Sequence, residues 1–105
     1  MRAIVKVAVL LAVLGLVFST SALAGGPDTF KAKCAMCHGA DGSGDTAMGK
    51  KFGLKPLGGA DVQKMTDAQL NQIITKGKDK MPAYEGKLSA DDIKGLVAFI
   101  RTLKK

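Results

Sequence analysis

Five consecutive residues, Cys34-Ala35-Met36-Cys37-His38, carry the chemistry of this chain. Two thiols three positions apart, followed at once by an imidazole, form the pattern through which haem is attached covalently to protein. On a helix these three side chains stand at i, i+3 and i+4 and so project from one face. Both sulfurs can then add to the two haem vinyl groups while the imidazole lies under the iron as an axial ligand. Other readings of a C-x-x-C pair have less support. A thioredoxin-like dithiol wants a βαβ context, and no β-rich run follows the N-terminal apolar stretch. A structural zinc site wants four ligands, and the chain holds two Cys and one His in all. A local disulfide is the remaining alternative in an oxidising compartment.

Haem iron held by one histidine has a second axial position, and what fills it decides function. His38 is the single histidine, so a second imidazole from this chain is excluded. Met36 sits between the cysteines, too close and on the wrong face. Met65 stands just before a helix start, where a methionine serves as core filler. Met48 lies ten residues beyond His38 in a glycine-rich stretch and stays a candidate by spacing. Met81 precedes Pro82, which biases it towards an extended conformation between two helices. From there a loop can swing over the opposite face of the haem. Met81 is the leading candidate, with Met48, a lysine or an open site as alternatives.

The elements that must position these residues are helical. The first helix is predicted from about Pro27 to Cys37, with Pro tolerated near its start and Asp28 in its first turn. Phe30, Cys34 and Cys37 or His38 fall on one stripe, so the haem-binding face is the buried face. From Gly39 to about Gly59 seven glycines mark a loop suited to tight turns and close approach to a flat cofactor. It has neither the preceding strand nor the Gly-Lys-Ser/Thr ending of a phosphate-binding loop. Thr66-Asp67-Ala68-Gln69 has the form of a capping box. Leu70, Ile73 and Ile74 follow at helical spacing, and Gly77 is the stop signal. A final helix opens at Ser89 and carries Ile93, Leu96, Val97, Phe99, Ile100 and Leu103 as an apolar face, closing on Lys104-Lys105. Gly95, one turn before Phe99, marks a place where another helix can cross closely.

Residues 1–24 read as a secretory signal peptide. Arg2 and Lys6 form a positive start, Val7 to Phe18 is an apolar run of twelve, and Ala22-Leu23-Ala24 offers a cleavage site. Twelve residues fall short of the roughly 20 that cross a bilayer as a helix. Removing 24 residues from 105 leaves one domain, 25–105, and removing two cations lowers the formal charge from +7 to +5. A domain this small is marginal unless something besides side chains fills its core. A porphyrin would.

Taken together, the Cys34–His38 motif, Gly39-Ala40-Asp41-Gly42-Ser43-Gly44, Met81-Pro82-Ala83-Tyr84 and the closing Leu96-Val97-Ala98-Phe99-Ile100-Arg101 resemble a small bacterial class I c-type cytochrome. The resemblance spans residues 25–105. It implies an all-α fold of three to four short helices around one covalently attached haem c. It also implies Cys34 and Cys37 as thioether attachments and His38 and Met81 as axial iron ligands. Phe30 resembles the first-helix aromatic that packs on the last helix, with Gly95 and Phe99 completing the contact. Many members present a proline carbonyl to the axial histidine within Pro-x-Leu, a role the resemblance gives to Pro56. Here, however, Pro56 is followed directly by Leu57.

The expected function is single-electron transfer between extracytoplasmic redox partners, with no catalytic residue and no enzyme activity. A labile or open sixth site would instead make a gas sensor or peroxidase, and a third alternative is a docking subunit of a larger oxidoreductase. Lys50, Lys51 and Lys55, with Lys76, Lys78 and Lys80, are placed to rim the haem edge and steer the protein to an acidic partner. Nucleic acid is a poor partner, since aromatic residues do not interleave with the basic ones. A periplasmic monomer with no membrane span after cleavage is expected.

Overall fold

The computed structural model describes residues 25–105. The expected leader and its cleavage point lie outside the described residues. Six helices follow in order: α1 Gly26–Lys33, α2 Ala35–His38, α3 Ala47–Phe52, α4 Ala60–Gln63, α5 Asp67–Lys76 and α6 Ala90–Thr102. The described residues contain no β-strand, only isolated bridges at Lys78–Met81 and Glu85–Leu88. The fold is all-α, as expected, but with more and shorter helices than three or four.

The differences have local causes. The first helix is two, because Cys34 departs to φ −116°, ψ −28° and breaks the ladder between α1 and α2. The glycine-rich stretch is not all loop, because Thr46 caps α3. Its hydroxyl accepts from the Gly49 N–H at 2.8 Å and donates to the Cys37 carbonyl at 2.6 Å. One side chain thus starts α3 and satisfies a carbonyl near the end of α2, where helix termini leave groups unpaired. Both later helices begin at full capping boxes, Thr66 with Gln69 and Ser89 with Asp92. The final helix stops at Thr102, before the two terminal lysines.

The principal pairing is α1 against α6, with α6 also on α5. Phe30 and Phe99 meet at 4.9 Å between ring centroids, tilted by 48°. The close crossing depends on Gly26 more than on Gly95. A Cβ on Gly26 would lie 2.5 Å from the Gly95 carbonyl oxygen, whereas one on Gly95 would stay 3.6 Å from the Gly26 Cα. The buried apolar core is Phe30, Leu57, Leu70, Ile74, Ile93, Leu96, Val97 and Ile100. A polar clasp closes its edge. Gln63 donates to the Leu57 and Ile100 carbonyls at 2.8 and 2.9 Å, and Arg101 donates to the Gln63 carbonyl and the Asp67 carboxylate at 2.9 Å each.

Candidate haem site

The core is incomplete on one side. Between α1–α2, the 52–57 segment, α5 and the 78–84 segment lies a cavity of about 340 Å³. Its walls are mostly apolar, with Leu57, Val62, Leu70, Ile74, Leu96 and Ile100 among them. Cys34, Cys37 and His38 line it from one side of the chain and Met81 from another, so four residues up to 47 positions apart share one chamber.

Both cysteines are free and half-buried. Burial, and then the neighbouring Cys37 sulfur, push the Cys34 thiol up to about 11. A thiol so placed is uncharged at neutral pH. Burial also lowers the His38 pKa, favouring the neutral imidazole that a metal requires. Its Nδ1 is buried without a hydrogen-bond partner. Among the described residues no group of three or more His, Cys, Asp or Glu side chains gathers to hold a metal ion.

The methionines separate by environment. Met81 is half-buried and packs against the core. Met65 does the same, so the expected core filler is also a wall of the chamber. Met36 is 80% exposed and Met48 is exposed on α3, and neither lines the cavity. An apolar chamber with two thiols, one neutral imidazole and two thioethers on its walls, those of Met65 and Met81, has the donor set and the apolar surroundings that a covalently bound haem needs.

The family model described as cytochrome c oxidase, cbb3-type, subunit III matches residues 21–100. The chain belongs to this family of c-type cytochromes. Cytochrome c6 of Anabaena variabilis is 32% identical to it over 80 residues, covering 71% of this chain and 84% of that protein. Cytochrome c6 of Leptolyngbya boryana is 35% identical, covering 73% and 87%. The cbb3-type cytochrome c oxidase subunit FixP of Azorhizobium caulinodans is 36% identical over 88 residues, and the chain spans only 28% of that longer relative. Among solved structures, the KustC0563 c-type cytochrome superposes with a TM-score of 0.71 at 30% identity, over 76% of this chain and 98% of that one. One haem c is the cofactor of this cytochrome.

Two expectations about its surroundings need revision. The Pro56 carbonyl accepts from the Gly59 N–H at 3.1 Å rather than from His38, and Pro56 is exposed. The reason is the register of the departure from Pro-x-Leu. Leu57 is buried in the core, which turns Pro56 outward and leaves Lys55, two before the leucine, on the cavity wall. The lysine rim also shifts. Lys55, Lys78 and Lys80 line the cavity, but Lys50, Lys51 and Lys76 do not, and Lys33 joins unforeseen. Lys55 pairs with Asp61 at 2.8 Å, while Lys33, Lys78 and Lys80 have no carboxylate partner among the described residues. Tyr84 also lines the cavity, a residue with no role assigned from sequence. Its place three residues after Met81 was the available signal.

Proposed function

We propose that this cytochrome is a one-electron carrier in which Cys34 and Cys37 hold the haem through two thioethers and His38 and Met81 are its axial ligands. The observation that carries the reading is the convergence of these four side chains on one apolar chamber from which Met48 is absent. The bound haem supplies a reversible Fe(III)/Fe(II) couple. Met81 offers a soft thioether, which favours the reduced metal over harder ligands. With His38 and Met81 both engaged, no position is left for a substrate, so the chain's residues bind, orient and exclude water. They make and break no substrate bond.

The test is ligand replacement in the haem-loaded protein. Met81→Ala is expected to abolish the low-spin, methionine-ligated absorption spectrum, and Met48→Ala to leave it intact. The opposite pair of results would overturn the assignment.

Partners and place follow from the same reading. Lys33, Lys78 and Lys80, without a carboxylate partner among the described residues, favour a redox partner with an acidic docking face. The leader read at 1–24 and the covalent haem motif favour a periplasmic protein cleaved near Ala24. Among the described residues no helix is long and apolar enough to cross a membrane.

A further inference from the structure

The segment that carries Met81 is anchored almost entirely to the helix it leaves. Gly77 turns the chain with φ +79°, and Lys78 and Met81 exchange two backbone hydrogen bonds at 3.1 and 2.9 Å across Asp79-Lys80. The Tyr84 and Glu85 N–H groups donate to the Ile74 and Thr75 carbonyls of α5 at 3.0 Å each, and Lys76 pairs with Glu85. All of these bonds tie the segment to α5 or to itself. None would resist its swinging away from His38.

One bond would. The Tyr84 hydroxyl donates to the Lys33 carbonyl at 3.1 Å. Among the described residues it is the one hydrogen bond between the 78–88 segment and the 26–38 segment. The acceptor is available because of the break at Cys34. The Cys37 and His38 N–H groups both turn to the Cys34 carbonyl, at 3.3 and 3.0 Å, leaving Lys33 at the open end of α1. The ring of Tyr84 lines the same cavity as Met81 and Lys33, so the phenol reaches from the wall that carries Met81 to the wall that carries Lys33. Burial raises its pKa, so the hydroxyl is a donor throughout the neutral range.

We propose that Tyr84 is a positioning residue that latches the Met81 segment to the end of α1 and so sets how often Met81 leaves the iron. The proposal rests on Met81 being the axial ligand. An external ligand such as imidazole can reach the ferric iron only when Met81 is displaced, so its binding rate reports the opening. Removing a neutral hydrogen bond of this kind changes an equilibrium by about threefold to tenfold.

The experiment compares imidazole binding to the ferric, haem-loaded protein in four forms by stopped-flow absorbance. Tyr84→Phe keeps the ring and is expected to bind imidazole about threefold to tenfold faster than the unaltered protein, with its resting methionine-ligated spectrum retained. Glu85→Gln breaks the salt bridge to α5 on the same segment and is expected to leave the rate unchanged. Met81→Ala is expected to bind without the opening step, much faster than either. If Met81→Ala is fast while Tyr84→Phe matches the unaltered protein, the latch is refuted and the ligand assignment stands. A rate raised as much by Glu85→Gln as by Tyr84→Phe also refutes the latch, since any loosening would then suffice. If Met81→Ala is no faster than the unaltered protein, Met81 is not the ligand, and both readings fall.

Discussion

A methyl group at Gly26 would sit 2.5 Å from a carbonyl oxygen of the opposing helix, a separation that neither backbone can accept without moving. Gly26→Ala is therefore expected to destabilise the haem-loaded protein by about 1–3 kcal/mol, the usual cost of overpacking. Gly95→Ala faces only ordinary contact at 3.6 Å. Replacing a mid-helix glycine by alanine gains roughly 0.5–1 kcal/mol, so that variant should be neutral or slightly stabilised. Denaturant melts of the two proteins separate the cases. Equal losses would show that the crossing is closer at Gly95 than described. Both glycines were visible in the sequence, but their inequality was not, because it depends on which backbone presents a carbonyl at the contact.

At the scale of elements, capping was the most legible feature. Thr66 with Gln69 and Ser89 with Asp92 satisfy their helix starts within four residues, so nothing distant is needed to form them. The turn before Met81 was less legible. Asp79 adopts φ +54°, the one positive value outside glycine among the described residues, and no local signal marks it. Aspartate tolerates this region better than branched residues do. Asp79→Val is expected to cost about 1–2 kcal/mol and to weaken methionine ligation, whereas Asp79→Gly should preserve both. Thermal melts and the methionine-dependent absorption band of each variant provide the check. A valine that melted like the parent would mean the turn is not constrained at Asp79.

At the scale of the whole molecule, six of the eight buried apolar side chains line a chamber that the polypeptide itself does not fill. A domain of about this size has little stability to spare. The chain freed of haem is therefore expected to lose most of its helical circular dichroism and its cooperative melt. A haem-free protein that stayed compact and melted sharply would contradict this account of the core. The charge distribution acts at the same scale. With Lys33, Lys78 and Lys80 around the cavity and without a carboxylate partner among the described residues, electron exchange with an acidic partner should slow as salt shortens the screening length. A rate independent of ionic strength would remove steering by these lysines.

The sequence by itself determined everything written in short-range spacing. The i, i+3, i+4 grouping of Cys34, Cys37 and His38, the two capping boxes and the periodic apolar face of α6 each need only neighbouring residues. From these came the cofactor and the helical class, while the electron-transfer reading also needed Met81 and the ordered motifs of the family resemblance. Tertiary structure decided what depends on the path of the chain through space. It turned Met81 and Met65 inward and left Met36 and Met48 outside, set Thr46 against Cys37, moved Pro56 to the surface and brought the Tyr84 hydroxyl to Lys33 across 51 positions. Such contacts join segments whose local sequences are each compatible with many placements. Only the shared demand of burying one core around one chamber selects among them.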